Sequence, residues 1–473
     1  MTLGSSEETT STGGATREKR NTPRIPYRSD GIVHRSRHNF PGARLQQRPP
    51  ILVSALPRKR VYASSSNASV GHRIRNAFQA IPRFLADETR TGLLLIVVAL
   101  IALFLANSPW EPIYSAISHY EFGPESLGLH LSVHEWAADG LLTIFFFVVG
   151  LELKSDFVTG PLRDIREAAL PMLAAAFGMV GPATIYVLIQ TITGSDHFHG
   201  WAVPTATDIA FAVALLGIFG RGLPPAARTF LLTLAVVDDL LAIIVIAVFY
   251  SSGLNWLALG GALLTIVVFG FLVQRQITKW WLLIPLAVVA WALMLNSGVH
   301  ATIAGVCLGM VVPAKRIRNR QLTHEFDEKL SPWSAGLALP VFAFFAAGVP
   351  VMGGEGGLSA ALTDPITISV AVALPLGKLI GIWGSVAILT RYTRLRLGNG
   401  VDLPDIAAIG LLAGIGFTVA MLVAGLAFPG ETEVFHARFG VILGTFAAAL
   451  LGAIALHQRT SVRARGAHAS NQR

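Results

Sequence analysis

The chain alternates between long apolar blocks and short polar loops from Gly92 to Leu456. Several blocks approach the roughly 20 residues that an α-helix needs to cross the hydrocarbon core of a bilayer, and others are shorter. The pattern predicts an all-α polytopic membrane protein with about twelve transmembrane helices. The predicted spans are Gly92–Ala106, His134–Gly150, Ala168–Gln190, Ala202–Gly220, Arg228–Tyr250, Leu257–Val273, Trp281–Leu295, Gly298–Val312, Trp333–Val349, Ile366–Leu389, Ile406–Ala427 and Phe439–Leu456.

The composition supports a membrane protein. Of the 473 residues, 53% are hydrophobic and only 14% are charged, which excludes an ordinary soluble globular protein. The single cysteine, Cys307, excludes an internal disulfide and a cysteine-based metal cluster. We expect no cofactor.

Lysine and arginine are concentrated in the tails and in every second loop. Loops 107–133, 191–201, 251–256 and 349–365 contain neither, and Arg438 in the last outer loop is the exception. Because basic loops stay in the cytoplasm, the pattern predicts an even number of spans with both termini cytoplasmic. The net charge of +9 therefore reflects topology, and we expect no nucleic-acid partner. The predicted cytoplasmic set is Lys154, Arg163, Arg166, Arg221, Arg228, Arg275, Lys279, Lys315, Arg316, Arg318, Arg320, Arg391, Arg394, Arg396, Arg459, Arg463 and Arg465.

The sequence divides into three predicted parts. Residues 1–80 are polar and rich in Ser, Arg and Pro, which predicts a disordered basic tail. An organellar transit peptide and a wrongly assigned start codon are alternatives. Residues 81–458 form the predicted transmembrane domain, and residues 459–473 form a basic cytoplasmic tail.

The first outer loop contains a short stretch with a two-residue repeat. Apolar residues alternate from Leu127 to Val133, which indicates a strand, and Gly123-Pro124 before it is a turn signal. A β-hairpin over residues 120–133 could pair through its edge with a second copy of the chain. A loose loop is the alternative.

Two adjacent carboxylates, Asp238 and Asp239, lie in the middle of the apolar run Leu231–Tyr250. One ionised Asp at the centre of a bilayer costs roughly 2.5–3.5 kcal/mol on insertion scales, and the default interpretation of such a residue is an ion or proton site. The alternative is an acid pair buried against a basic partner for structure.

A helix break is predicted in Ala202–Gly220, where Pro204 is followed by Thr207 and Asp208. Proline removes a backbone donor, and threonine hydroxyls can bind the freed carbonyls. Asp208 would then lie beside the positive N-terminus of a half-helix. A proline-kinked helix with a capping aspartate is the alternative.

Ile406–Ala427 contains a matching interruption, with Gly414, Gly416 and Thr418. Broken helices in corresponding positions of two halves indicate an inverted repeat with the binding site between them. Glycine is also common in membrane spans because it permits close helix packing, so this signal is weak by itself.

Lys378 is the only lysine inside a predicted span and needs a carboxylate partner there. Asp238 or Asp239 is the expected one. Since neighbouring residues on a helix point about 100° apart, one Asp can face Lys378 while the other faces a water-filled cavity.

Other ionisable residues are candidates for a pH response. Glu152 and Asp156 follow the second span and could form the acidic mouth of a cation-gathering funnel, or a solvated helix end. His300 begins a helix, where a capping or packing role is the alternative to pH sensing. Asp139 has no clear assignment.

Six motifs then resemble one family, the NhaA-type sodium/proton antiporters of bacterial membranes. The resemblance runs in order from about Arg83 to the last span. The motifs are GLELK at Glu152, TATDIAFA at Asp208, LAVVDDL at Asp238 and Asp239, SGVHATIAGV at His300, GK at Lys378 and AGIGFT at Gly414.

This resemblance implies two broken, crossing helices and electrogenic, pH-regulated export of Na⁺ or Li⁺ in exchange for protons. It implies that Asp239 is the main Na⁺ ligand with Asp238 beside it, that Lys378 pairs with Asp238, and that Thr207 and Asp208 lie at the crossing. It assigns Glu152 to the pH response. It also implies an inner-membrane homodimer joined through hairpin 120–133, and a transporter rather than an enzyme.

Two features depart from the family pattern. The long N-terminal tail is unusual, and residues 327–331 contain no histidine, although the family pattern leads us to expect pH-sensing histidines there.

Competition explains the expected exchange. If the acid pair holds either protons or a sodium ion, and only these loaded forms switch sides, exchange is obligatory. Two rivals remain. An intramembrane aspartyl protease would pair Asp208 with Asp239, although Lys378 would oppose their shared proton. A passive cation channel would conduct without proton counterflow.

Overall fold

The computed structural model describes residues 88–251, 253–317, 320–351 and 357–471, and nearly all of these residues are helical. The predicted tail, residues 1–80, lies outside them. The helices are α1 Glu88–Ala106, α2 Glu111–Ser118, α3 Val133–Val158, α4 Ile165–Thr193, α5 Ile209–Phe219, α6 Pro225–Phe249, α7 Trp256–Gln274, α8 Trp280–Leu295, α9 Thr302–Met310, α10 Leu322–Ala347, α11 Gly357–Thr363, α12 Pro365–Tyr392, α13 Leu403–Ala413, α14 Phe417–Ala427 and α15 Glu431–Asn471. Short 3₁₀ segments are Glu125–Leu127, Pro161–Arg163 and Phe198–Thr205.

Seven helices in the described part of the chain are long and apolar enough to cross a membrane, or up to ten spans if each of three bent pairs counts once. The bent pairs are α1 with α2 (113°), Phe198–Thr205 with α5 (41°) and α13 with α14 (50°). Each of the twelve predicted spans contains a helix, but α8 and α9, with 16 and 9 residues, are short for a full crossing. The chain is an all-helical membrane protein, and the count of twelve stays a prediction.

The outer surface of the bundle is apolar. Leu257 is 88% exposed, Ile192 is 74% exposed and Trp281 is 72% exposed. Helices that are apolar on all sides are typical of a membrane span, where lipid rather than water contacts these side chains.

A small antiparallel hairpin, β1 Glu121–Phe122 with β2 Leu131–Ser132, lies in the first long loop. The hairpin was predicted, but the strand predicted from Leu127 to Val133 is wrong at both ends. Leu127 belongs to a 3₁₀ turn, and Val133 begins α3 because Ser132 and Glu135 form a capping box.

Two stretches of the chain, here called units, have the same order of elements: a long helix, a bent pair and a second long helix. The first unit runs through α4, Phe198–Thr205, α5 and α6, and the second runs through α12, α13, α14 and α15. Helices α4 and α12 pack closely through glycines. A Cβ atom at Gly377 would lie 2.6 Å from the backbone nitrogen of Pro182. This close approach keeps the next residue, Lys378, in the centre of the bundle.

Arg438, which departs from the charge pattern of the loops, lies in α15 and is packed against the protein. Its Nη2 donates to Nε2 of His134 at 3.0 Å, at the start of α3. Helix α15 also continues to Asn471, so most of the predicted C-terminal tail, residues 459–473, is helical.

Candidate ion-binding site

Asp208 caps two half-helices with one carboxylate. Its Oδ1 accepts from the Phe211 amide at 3.2 Å, at the start of α5. Its Oδ2 accepts from the Thr418 amide at 3.1 Å and the Thr418 hydroxyl at 2.7 Å, at the start of α14. Helix N-termini have unpaired amides and a partial positive charge, so a buried carboxylate is stabilised at this position.

The breaks at residues 206–208, before α5, and 414–416, between α13 and α14, are also joined through backbone carbonyls. The Thr207 hydroxyl donates to the Ala413 carbonyl at 2.7 Å, at the end of α13. The Asp208 amide donates to the Ile415 carbonyl at 2.6 Å. These contacts link residues about two hundred positions apart, and they place the unwound backbone of both bent pairs in one location.

The residues predicted to interrupt the helices lie at these breaks. Pro204 lies in the 3₁₀ segment before Asp208. Gly414 and Gly416 have negative φ angles, so the requirement for glycine is one of space. A Cβ atom would lie 2.8 Å from the Leu374 carbonyl oxygen at Gly414 and 2.8 Å from the Ala206 carbonyl oxygen at Gly416.

Lys378 and Asp238 form a buried ion pair beside the breaks. Nζ of Lys378 donates to Oδ2 of Asp238 at 2.6 Å, and both side chains are almost completely buried. Helix α6 supplies Asp238, and α12 supplies Lys378 through the close packing at Gly377. Among the described residues, Oδ1 of Asp238 has no hydrogen-bond donor.

Asp239 is the neighbouring carboxylate and is only 4% exposed. Its Oδ1 also lacks a hydrogen-bond donor in the described part of the chain. Asp238, Asp208 and Glu152 add negative charge near it, and Lys378 adds positive charge. Buried polar atoms are normally satisfied, so these two carboxylate oxygens need a proton or a cation. The three aspartates outnumber the one lysine, so the site favours positive charge.

The candidate pH-response residues lie in two places. Glu152 is exposed on α3 and close enough to act on Asp239, and Asp156 is half-buried one turn further along. His300 is elsewhere, with Nε2 3.3 Å from Oδ1 of Asp139 and Nδ1 2.9 Å from the Thr302 hydroxyl. The structure thus pairs His300 with Asp139, which the sequence left unassigned.

Two features of the site were missed by sequence reasoning. Thr418, whose amide and hydroxyl both bind Asp208, was treated only as part of a glycine motif. Its position immediately after a predicted break was a usable signal, because a hydroxyl at the start of a half-helix can donate to a nearby carboxylate. Asp405 at the start of α13 is fully buried, yet its position just before the predicted span Ile406–Ala427 gave no signal.

Comparison with known proteins gives a consistent result. The family model described as Na⁺/H⁺ antiporter 1 matches residues 82–456. The Na(+)/H(+) antiporter NhaA of Mycolicibacterium smegmatis is 51% identical over 388 residues, covering 81% of this chain and 89% of that protein. The Na(+)/H(+) antiporter NhaA 1 of Salinispora tropica is 52% identical over 386 residues, covering 80% and 88%.

A solved structure, the sodium proton antiporter MjNhaP1 from Methanocaldococcus jannaschii, covers 83% of this chain and 98% of its own, with a TM-score of 0.47 and 16% identity. The relatives named above are transporters rather than enzymes. The chain belongs to the Na⁺/H⁺ antiporter 1 family, as a bacterial membrane protein similar to the NhaA antiporters.

Proposed function

We propose that this Na⁺/H⁺ antiporter exports Na⁺ or Li⁺ from the bacterial cytoplasm in exchange for protons, electrogenically and under pH control, with Asp238 and Asp239 as the exchange site. The observation that carries the proposal is the pair of buried carboxylate oxygens, one on each aspartate, for which the described residues supply no hydrogen-bond donor. Carboxylate and backbone carbonyl oxygens are hard ligands, which suit hard cations such as Na⁺.

Competition for these oxygens drives the exchange. With Na⁺ bound, Asp239 is the main ligand, and Asp238 stays near Lys378. When protons occupy the pair, Na⁺ has no charged ligand and leaves. The two carboxylates should be treated as a coupled titration, because they are adjacent. The pair can take up two protons but only one Na⁺, so each cycle would move net charge.

The two units, α4 to α6 and α12 to α15, support an inverted repeat with crossing broken helices. Each unit has a long helix, a bent pair and a long helix, and the two breaks contact each other through Thr207, Asp208 and Thr418. With both termini in the cytoplasm, α4 runs outward and α12 runs inward, so the two units have opposite orientation. This arrangement, with twelve spans, is the one in which transporters bind ions near the midplane.

We also infer a homodimer through hairpin 120–133 in the inner membrane. Both residues of β1, Glu121 and Phe122, are exposed, so the outer edge of the hairpin offers backbone groups for a second copy. Glu152, Asp156 and His300 are the proposed pH-response residues.

The rival protease is disfavoured by the contacts of Asp208. Both of its oxygens accept hydrogen bonds from half-helix N-termini, so the carboxylate is held by the helix breaks, and Lys378 pairs with Asp238 beside Asp239. A catalytic aspartate dyad requires a proton shared between its two carboxylates, which the charge of Lys378 opposes.

The proposed function is tested by Na⁺-dependent proton flux in proteoliposomes at two pH values. We expect Na⁺ to dissipate an imposed proton gradient, and Asp239→Asn to abolish this. Asp196→Asn, in a loop that we place outside, is the matched control and should retain exchange. Exchange retained in Asp239→Asn would overturn the site assignment, and Na⁺ current without proton counterflow would favour a channel.

A further inference from the structure

The last helix contacts the distal ends of two half-helices. Helix α13 and helix α5 each begin or end at a break and extend to the side that we propose faces the cytoplasm. The end of α15 beyond Leu456 lies against α13 and against the loop that follows α5. Its contacts include a buried ion-pair network on α13 and a close approach to the loop that follows α5.

The network is centred on Asp405, in the first turn of α13, whose side chain is fully buried. Its carboxylate accepts from Nε of Arg459 at 2.9 Å, from Arg463 and from the amide of Asp402 at 2.9 Å. The arginines are themselves only 20% and 25% exposed. Buried, multiply bonded ion pairs hold geometry more firmly than exposed ones.

Further bonds fix the chain just before α13. Nη2 of Arg459 donates to Oδ2 of Asp402 at 3.2 Å, and Nη2 of Arg463 donates to the same oxygen at 3.1 Å. Nη2 of Arg463 also donates to the Gly400 carbonyl at 2.8 Å. Both arginines therefore bind the cap of α13 as well as its first turn.

The same segment contacts the loop that follows the first bent pair. A Cβ atom at Gly222 would lie 3.3 Å from Cβ of Thr460. The loop before α13 approaches this loop as well, since a Cβ atom at Gly400 would lie 3.6 Å from Cγ of Pro224. Gly222 and Pro224 belong to the loop between α5 and α6, immediately after α5 ends at Phe219. The end of α15 therefore contacts both the start of α13 and the loop at the end of α5.

A displacement at this end would reach the ion site. Helix α13 has eleven residues, about 16 Å at 1.5 Å per residue, and its other end carries the Ala413 carbonyl that accepts from Thr207. If the eleven residues of α13 move together, a shift of the first turn also shifts this carbonyl beside Asp208.

We propose that Asp405, Arg459 and Arg463 are positioning residues for Na⁺ binding, because they set the placement of α13, and of the break that it ends in, relative to the first bent pair. This inference rests on the proposed function. It assigns the basic end of the chain a role in ion affinity, beyond the topology signal that its charge provides.

The test compares Arg459→Gln and Arg463→Gln with Arg465→Gln, all in the full-length protein in proteoliposomes. Arg465 is exposed on the same helix and has no bond in the network, so it is the matched control. We expect each of the first two variants to raise the KM for Na⁺ about tenfold with the maximal rate nearly unchanged, and Arg465→Gln to stay within about twofold of wild type. Arg459→Lys should recover part of the affinity because it keeps one charged donor.

A merely structural role would lower the maximal rate and the melting temperature together and leave KM unchanged, and that result would overturn the inference. Asp239→Asn is assayed in parallel. If it loses exchange while the arginine variants match wild type, the inference fails and the proposed function stands. If it retains exchange, the proposed function itself fails.

Discussion

At the scale of single residues, the chemistry depends on what each buried carboxylate oxygen contacts. Asp208 accepts hydrogen bonds on both oxygens, from the starts of α5 and α14, so it links the two helix breaks. One oxygen of Asp238 accepts from Lys378. Within the part of the chain that the structure describes, the other oxygen of Asp238 and one oxygen of Asp239 have no donor. Three aspartates in one site thus have different capacities to exchange a proton for a cation.

Removing one member of the buried ion pair should destabilise the protein more than removing both. Lys378→Met leaves Asp238 buried without a partner, and we expect a loss of roughly 3–5 kcal/mol in unfolding free energy. The double variant Asp238→Asn with Lys378→Met should recover most of it. Denaturant or thermal unfolding in detergent measures the stability of both variants. A double variant that is no more stable than Lys378→Met would contradict the pairing of Lys378 with Asp238.

The hydroxyl of Thr418 should matter because it donates to Asp208, whose carboxyl group joins the two helix breaks. Leaving a buried polar group without its hydrogen bond costs about 1–3 kcal/mol, and we expect Thr418→Val to displace the breaks and weaken Na⁺ affinity by about tenfold. Thr418→Ser keeps the donor and should lie near wild type. The KM for Na⁺ in proteoliposomes compares them, and equal values for both variants would argue against this contact.

The importance of charged residues inside apolar blocks could be predicted from sequence, because burying a charge in a bilayer is costly. Asp238, Asp239 and Lys378 were identified in this way, and the structure brings Asp238 and Lys378 into contact. The partners of Thr418 and Asp405 could not be predicted, because they lie 210 and 54 residues away along the chain. Only the folded packing shows which distant donor meets which oxygen.

At the scale of elements, helix packing decides how closely the ion pair is held. The apolar blocks predicted where helices would form, since their length and composition leave few alternatives in a bilayer. The hairpin strand was predicted too long, because a local capping box at Ser132 starts α3 early. Local hydrogen-bonding side chains thus determine element ends more strongly than the apolar pattern does.

Close packing of α4 and α12 predicts a strong contrast between two glycines of α12. Gly377→Ala forces a methyl group against the backbone at Pro182, and overpacking of this kind costs about 1–3 kcal/mol. At Gly384, no described residue outside the local helix backbone lies within 4 Å of the added methyl group, so Gly384→Ala should be neutral or slightly stabilising. Melting temperatures of the purified variants test this, and equal melting temperatures would contradict the packing.

At the scale of the whole molecule, the two units bring their helix breaks together with Asp208, Asp238 and Asp239. The family match over residues 82–456 covers the first unit and the second unit as far as Leu456 in α15. Sequence alone could suggest the repeat from two interrupted blocks. It could not show that the end of α15 contacts both units, since that depends on the packing of helices far apart in the chain.

Net charge movement is the property of the whole cycle that the site predicts. If two protons enter for each Na⁺ that leaves, an interior-negative potential should accelerate Na⁺ efflux from proteoliposomes. Valinomycin with a potassium gradient sets the potential, and radioactive Na⁺ reports the flux. A flux independent of potential would indicate electroneutral exchange.

The most direct test of competition at the acid pair is proton release on Na⁺ binding. Adding Na⁺ to the purified protein in weakly buffered solution should release protons, which a pH electrode or indicator dye records. We expect release from the wild type, with a Na⁺ dependence that shifts to higher concentration as the pH falls, and little or none from Asp239→Asn. Na⁺ binding without proton release, or equal release from Asp239→Asn, would contradict the account.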